Sequence, residues 1–298
     1  MFNMNKLSTS KRAQIVRCLV DGCSMRATAR IARVARNTID KLLVELGAVC
    51  SKFQDTTLRN LGTKRVQVDE CWAFVYAKQK QVTPEMAEER YAGDAWTWAA
   101  IDADTKLVPC WTVGRRDPET ATAFVSDLAG RLTDRVQLTS DGLRTYLTAV
   151  TSAFGESIDY AMLVKVYGND PEAEKRYSPA VCTACRKDAI IADPDPEHIS
   201  TSYIERQSLT MRMGIRGFTR LTNAFSKKVE NHAAAVSLHM MYYNFARVHQ
   251  TLKTTPAVAA GVAGRVWSIE EIIALMDSKR ARPFPLAWLA GGPLAAVV

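Results

Sequence analysis

The chain has 298 residues, of which 47% are hydrophobic and 23% charged, and this composition excludes an intrinsically disordered protein. Lys and Arg outnumber Asp and Glu by 39 to 31, and the resulting net charge of +8 favours a polyanionic partner. The length allows one large core and a small accessory module, because domains usually have ~100–200 residues.

The charge is unevenly distributed along the chain. Residues 1–65 contain 13 basic and 4 acidic side chains, residues 66–204 contain 14 and 22, and residues 205–253 contain 8 and 2. Two basic segments around an acidic centre suit a protein that binds a nucleic acid and keeps carboxylates where the chemistry happens. Ordinary solvated surface charge is the alternative interpretation.

Cysteine usage and hydropathy predict the compartment. The seven cysteines are odd in number and lie mostly in apolar runs, which favours free thiols in a reducing environment. No secretory leader is recognised, and the apolar stretches are shorter than the roughly 18–20 residues that cross a bilayer. We therefore expect a soluble, cytoplasmic protein with no membrane partner.

Three helices are predicted in the first fifty residues. A hydroxyl within residues 8–10 caps the first helix, which ends at Asp21-Gly22, and Ser24 caps the second, which runs to about Ala32. The third should end at Gly47 and follows Ala35, a weaker cap than Ser or Thr. Its apolar residues recur at helical spacing on one stripe, which consists of Ile39, Leu42, Leu43 and Leu46.

This arrangement predicts a helix-turn-helix DNA-binding domain in residues 1–50, followed by a linker at 51–65. The third helix would lie in the major groove, with Arg36 and Asn37 closest to the base edges and Lys41 on the same face. Arg can make two hydrogen bonds to guanine and Asn can make two to adenine. A three-helix bundle without a DNA role is the alternative.

Residues 66–76 predict a β-strand in which Asp69 is a candidate site residue. Alternation places Asp69 on one face among small side chains and Glu70 on the other face, so Glu70 is not assigned as a ligand. A charge within an apolar strand is costly unless it is paired or binds a metal.

The segments after the first strand predict a mixed sheet. Strands at 95–101 and 107–113 are joined by a turn in which Asp102 and Asp104 are turn formers. A helix capped by Asp117, with Pro at its first position, comes next. A strand at 136–139, a helix at 143–154 and a strand at 160–166 complete the run. Asp141 lies where a strand meets a helix, a position that open α/β sheets use for binding, although a helix cap is the alternative.

A third carboxylate is predicted on a helix that begins near Ser202. Glu205 would share a face with Arg212 and Arg216, both phosphate-binding candidates, and Gly214 and Gly217 should break the helix. The predicted buried stripe consists of Ile204, Met211, Ile215 and Phe218.

The element order predicts an α/β ribonuclease H-like (retroviral-integrase-like) catalytic domain. It would occupy residues 66–262 with an insertion at about 168–200, and a C-terminal helix and tail would occupy 263–298. In this arrangement Asp69, Asp141 and Glu205 should converge and hold two Mg²⁺ ions roughly 3.5–4 Å apart, a geometry that serves in-line attack at a phosphodiester.

Several motifs together resemble the transposases of the insertion sequence 1 family, in a longer single-frame form, from about Leu7 to Ser278. The residues that carry this resemblance are Val68-Asp69-Glu70-x-Trp72-x-Phe74, Gly114-Arg115-Arg116-Asp117, Thr139-Ser140-Asp141-Gly142, Tyr203-Ile204-Glu205-Arg206-x-x-Leu209-Thr210-x-Arg212, and Asn223-Ala224-Phe225-Ser226-Lys227-Lys228-x-Glu230-Asn231-His232. The later Tyr243-Asn244-Phe245-x-Arg247-x-His249 and Thr255-Pro256-Ala257 are similar to the closing segment of retroviral-integrase-type transposases.

The resemblance implies Asp-Asp-Glu chemistry: hydrolytic cleavage at the ends of a mobile element, then attack of the 3′-hydroxyl on target DNA. It implies Mg²⁺, with Mn²⁺ as a substitute, double-stranded DNA as partner, a homodimer or higher homo-oligomer on DNA, and a bacterial, nucleoid-associated location. The side chains predicted to contact DNA are Arg36, Asn37, Lys41, Arg206, Arg212, Arg216, Arg220, Lys227, Lys228, Arg247 and His249.

Some features depart from the family pattern or stay open. The amino-terminal zinc ribbon of shorter relatives is absent, and Gly217 stands where a basic residue is expected. Cys182-x-x-Cys185 could bind zinc together with His198, but a fourth ligand is missing, so two free thiols in a loop are the favoured interpretation. His232 and His249 are expected to pack or to touch phosphate rather than act as bases. The alternative functions are a domesticated, non-catalytic DNA-binding regulator and a nuclease acting on RNA–DNA hybrids.

Overall fold

The computed structural model describes residues 7–168, 181–219 and 222–277. Its amino-terminal part consists of the helices α1 (Thr9–Val20), α2 (Met25–Ala32) and α3 (Arg36–Thr57). Ser8 and Ser24 cap the first two helices through their side chains, as predicted, and Ala35 makes no such hydrogen bond to α3.

The prediction that the third helix ends at Gly47 is wrong, because α3 continues to Thr57 through the first half of the predicted linker. Gly47 lies against α8 (Val229–Met241) so closely that a Cβ atom there would be 2.6 Å from Cβ of Ala234. Ser237 donates a hydrogen bond to the carbonyl oxygen of Gly47 at 2.7 Å. The glycine therefore allows a close helix–helix contact instead of a stop.

The centre of the fold is a mixed six-stranded sheet with strand order β3-β2-β1-β4-β5-β6. β1 pairs with β2 antiparallel and with β4 parallel, β4 pairs with β5 parallel, and β3 and β6 are antiparallel edge strands. The strands are β1 (Arg65–Val75), β2 (Gly93–Asp102), β3 (Trp111–Gly114), β4 (Gln137–Ser140), β5 (Asp159–Gly168) and β6 (Val181–Ile191).

Helices cover both faces of the sheet. α5 (Pro118–Ala129) and α6 (Thr145–Phe154) bury one face in a core that includes Trp98 and Tyr160. α7 (Ser202–Gly214) and α8 bury the other face. As predicted, Asp117 caps α5, and the stripe of Ile204, Met211, Ile215 and Phe218 is buried.

Two parts of the sheet differ from the prediction. The third strand begins only at Trp111, and before it the backbone N–H and carbonyl of Val108 bond to the side chain of Asn244. β6 lies in the segment interpreted as an insertion, and a short helix, α4 (Pro84–Glu89), precedes β2. Asp102 accepts bonds from the N–H groups of Asp104 and Thr105 and is the expected turn former.

The carboxyl-terminal helices pack onto the amino-terminal ones. α8 is followed by a π-helical turn (Tyr242–Ala246), then α9 (Pro256–Ala259) and α10 (Ile269–Ala274). Apolar side chains of α1, α3, α8 and α10 form one shared core. Within the three described stretches, no helix combines the length and apolar character needed to span a bilayer.

The contact at Gly47 generates a stability prediction. Gly47→Leu places a branched side chain against the backbone of α8, so we expect the free energy of unfolding to fall by about 1–3 kcal/mol or more. Glu45→Leu, at an exposed position of the same helix, is the control and should change it by about 0.5 kcal/mol or less. Urea unfolding followed by circular dichroism measures both, and equal losses would contradict a close contact specific to Gly47.

Candidate functional site

Three carboxylates meet beside the end of β4. The parallel pairing of β1 with β4 ends at Gln67 and Thr139, so Asp69 on β1 lies level with Asp141 in the loop after β4. One oxygen from each of Asp69, Glu70 and Asp141 lies within 4.8 Å of the others. We call these three residues the acidic cluster.

The environment makes ionisation of Asp69 costly. Burial is the main cause that raises the pKa of Asp69 to about 6, and the negative charges of Asp141 and Glu205 act in the same direction. The N–H of Glu70, which donates to Oδ1 of Asp69 at 2.8 Å, and the positive charge of Arg116 oppose this shift. A bound cation would remove much of this cost.

Glu70 belongs to the cluster although the sequence interpretation left it out. Its side chain is 1% exposed, and burial raises its pKa to about 7, with further contributions from Asp141 and Asp69. Nε of Arg116 donates to Oε2 of Glu70 at 3.1 Å, and the same guanidinium lies 3.9 Å from Asp141. Asp69 was identified because a charge within an apolar strand is costly. The same argument applies to Glu70 and could have identified it from the sequence.

Glu205 approaches the cluster from α7. The side-chain oxygen of the buried Gln67 accepts hydrogen bonds from the N–H groups of Tyr203 and Ile204, which fixes the start of α7 over β1. Glu205 is near enough to Asp69 to raise its pKa, but its own carboxylate bonds to Lys165 and Thr201, each at 2.5 Å. The structure thus brings Asp69 and Asp141 together and places Glu205 beside them.

The cation beside Glu205 differs from the prediction. Lys165 on β5 contacts the carboxylate, whereas Arg212 donates to the carbonyl oxygen of Trp72 at 3.3 Å and Arg216 is exposed after the end of α7. Nothing in the local sequence singled out Lys165, because the contact joins β5 to a helix that follows it by forty positions.

The side chains predicted to read DNA are exposed at the start of α3. Arg36, Asn37 and Lys41 all face solvent, and Arg36 lies 3.7 Å from Asp40. Of the other predicted DNA contacts, Arg212 and His249 are half-buried, Arg220 lies outside the described residues, and the exposed ones are Arg206, Arg216, Lys227, Lys228 and Arg247.

The remaining histidine and cysteine predictions have mixed outcomes. His232 is fully buried beside the ring of Phe218, so it packs rather than touching phosphate, and burial lowers its pKa to about 4. Cys182 and Cys185 are exposed thiols, as predicted, but they lie on β6 and not in a loop, with their sulfurs 3.7 Å apart. Pairing with β5 is what orders this segment.

Comparison with known proteins gives only distant similarity. No protein-family model matches the chain, and no curated protein does. A cryo-EM structure of the piggyBac transposase synaptic complex with hairpin DNA is 10% identical over 97% of this chain and 77% of that chain, with a TM-score of 0.38. The Mos1 transposase paired-end complex with left transposon end is 14% identical over 50% of this chain and 57% of that chain, with a TM-score of 0.22. Similarity this weak does not assign a family or a function to the chain. The resemblance to the insertion sequence 1 family therefore stays a prediction.

The raised pKa of Glu70 generates a prediction about stability. A raised carboxyl pKa in the folded state means that the folded protein binds more protons than the unfolded one between the two pKa values, so stability is lost as pH rises through this window. Without divalent metal, Glu70→Gln should therefore stabilise the protein at pH 8, by about 1–3 kcal/mol, and by much less at pH 5.

Chemical unfolding in EDTA at both pH values measures this effect. Glu156→Gln, at an exposed position, is the matched control and should have little effect at either pH. A loss of stability in Glu70→Gln at pH 8 would contradict the costly charge.

Proposed function

We propose that the chain is a DNA transposase of the Asp-Asp-Glu type, with a ribonuclease H-like catalytic domain and an amino-terminal helix-turn-helix. The observation that carries the proposal is the acidic cluster, with Glu205 beside it, at the end of β4 in a mixed sheet. The resemblance of the sequence motifs to the insertion sequence 1 family supports the same function. We propose that it acts on the bacterial nucleoid, as a homodimer or higher homo-oligomer on DNA.

The residues of the site fit divalent metal binding. Mg²⁺ prefers hard oxygen ligands and keeps several waters, so a few carboxylates suffice. Asp69, Asp141 and Glu205 would hold the ions, and the structure adds Glu70 as a neighbouring carboxylate. Bound Mg²⁺, or Mn²⁺ in its place, supplies activation of the attacking water or 3′-hydroxyl and stabilisation of the leaving oxygen.

The chain's own side chains position these carboxylates. Thr201 and Lys165 orient Glu205, and Arg116 orients Glu70 beside Asp141. Both cations also place positive charge where the phosphates of a bound strand would arrive, and such charge stabilises the negative charge that develops on a reacting phosphate.

A second candidate function is a non-catalytic DNA-binding regulator. The contacts of Arg116 with the acidic cluster and of Lys165 with Glu205 favour it, because they already offset the carboxylate charge without a metal. Its DNA binding would use the exposed residues at the start of α3, and it would cleave no DNA.

Asp141→Asn separates the two functions. This change keeps the size of the side chain but removes the charge that would hold a metal ion. Cleavage of the element's end should therefore fall by several orders of magnitude, because the metal stabilises the transition state by several kcal/mol and each ~1.4 kcal/mol is tenfold in rate. Binding to the end should persist, because the exposed residues of α3 are unchanged. Gel-shift and cleavage assays on one preparation, with Mg²⁺ and then Mn²⁺, measure both.

Asp134→Asn, at an exposed position before β4, is the matched control and should cleave like the wild type. Cleavage by Asp141→Asn at a near wild-type rate under both metals would place the site elsewhere. A wild-type chain that binds the end and never cleaves it would support the regulator.

The helix-turn-helix proposal has its own test at the start of α3. Arg36→Ala should weaken binding to the element's end by roughly 1–3 kcal/mol and leave random DNA nearly unaffected, since a base contact is sequence-specific. Lys41→Ala should weaken binding to all sequences alike, as expected for a phosphate contact. Competition binding assays at one fixed salt concentration compare them, and equal losses for Arg36→Ala on both DNAs would refute base reading.

A further inference from the structure

An aromatic surface continues from the acidic cluster along β1. Trp72 and Phe74 follow Glu70 at two-residue spacing and therefore share its face of the strand. The rings of Trp72 and Phe74 lie 5.9 Å apart, and Phe225, from the segment before α8, lies 4.8 Å from Phe74. The half-buried rings leave part of their surface open to solvent.

The far end of this surface is a groove of about 390 Å³, which we call the aromatic groove. Its lining includes Phe74, Tyr76, Lys78, Gln81, Asn223 and Phe225. Tyr76 has a left-handed φ of 63°, which is rare for an aromatic residue, and its N–H donates to the carbonyl oxygen of Ser226 at 2.8 Å. Backbone strain of this kind concentrates at functional sites.

Cations stand among the rings. Nζ of Lys227 lies 3.9 Å from the centre of the Phe225 ring, and the guanidinium carbon of Arg90 lies 4.6 Å from that of Tyr76. Lys78 at the rim is exposed. Lys227 and Arg90 are both exposed side chains, so a stacking base can displace them from the ring faces, and they can then bind phosphates of the same strand.

The aromatic surface is connected to the carboxylates by contacts. Trp72 pairs across the sheet with Trp96, and the guanidinium of Arg116 lies 4.8 Å from the Trp96 ring while it also binds Glu70. Phe74 is four residues from Glu70, a separation of about 13 Å along a strand. A nucleic-acid strand with a phosphate at the acidic cluster would reach the aromatic groove within a few nucleotides.

We propose that the aromatic groove binds unpaired nucleotides of a single DNA strand by stacking their bases on Phe74, Tyr76 and Phe225. In a duplex the base faces are covered by neighbouring base pairs, so rings set in a groove reach them only when the strand is unpaired. Because every base has a π-face, this binding has little sequence preference. The inference rests on the proposed function for the source of the strand, the DNA end beside the acidic cluster, but binding itself requires no cleavage.

Fluorescence anisotropy in EDTA tests the groove with three labelled probes of roughly 12 nucleotides: oligo(dT), an abasic strand with the same backbone, and a blunt duplex. The wild type should bind oligo(dT) more tightly than the abasic strand, which keeps the phosphates and lacks the bases. This comparison requires no variant, so it remains decisive if a substituted protein fails to fold.

Phe225→Leu keeps an apolar contact with Phe74 and removes the aromatic face. Its affinity for oligo(dT) should fall by about 5- to 100-fold, while its affinity for the abasic strand and the duplex should change by less than about 2-fold. Phe154→Leu, the same substitution at a half-buried position at the end of α6 and outside the aromatic groove, is the control and should bind all three probes like the wild type.

Equal wild-type affinity for oligo(dT) and the abasic strand would overturn the proposal, and so would equal losses on all three probes in Phe225→Leu. The result is separable from catalysis. If the wild type binds oligo(dT) as expected but cleaves no DNA with Mg²⁺, nucleotide binding in the aromatic groove is supported and the proposed transposase activity is refuted. If the wild type cleaves DNA but Phe225→Leu binds oligo(dT) as tightly as the wild type, the transposase activity is supported and binding in the groove is refuted.

Discussion

The short parallel pairing of β4 with β1 sets the position of everything else at the site. β4 ends at Ser140 while β1 continues to Val75, so among the described residues that edge of β1 is paired with β4 only as far as Gln67 and carries an isolated bridge to Ser226 at Val75. The carboxylates of Asp69 and Glu70 meet Asp141 in this gap. Burial is the main cause that raises the pKa values of Asp69 and Glu70, and repulsion from the neighbouring carboxylates adds to it.

Side chains from several elements hold the groups around this gap in place. Arg116 comes from the segment before α5, Lys165 from β5, and Gln67 of β1 fixes the start of α7. The cluster therefore depends on several elements packed correctly at once. Stability given up at a site in this way is common where function requires the charged groups.

The sequence predicted those features whose signals are local. Caps at Ser8, Ser24 and Asp117 and the stripe on α7 depend on neighbouring residues, and all were confirmed. The continuation of α3 was not predicted, because Gly47 is explained only by its contact with α8, which is distant in sequence.

The parts of the site that were not predicted also depend on contacts between residues that are distant in sequence. Glu70 was left out because strand alternation places it on the face opposite to Asp69, whereas an oxygen of Asp141, in the loop after β4, lies within 4.8 Å of both carboxylates. β6 is ordered by pairing with β5, and Lys165 is explained by Glu205. Asp69 was identifiable as a costly charge within a strand, and Asp141 by its position where a strand meets a helix.

The packing of α3 against α8 has a mechanical consequence. α3 has 22 residues and is therefore about 33 Å long, with Arg36 exposed at its start. α8 contacts α3 through Ala234 and contributes Val236 to the core beneath the sheet. The first turn of α3 and the acidic cluster are thus joined by rigid elements. Under the proposed function, this connection would keep the distance between the DNA-contacting side chains at the start of α3 and the acidic cluster constant.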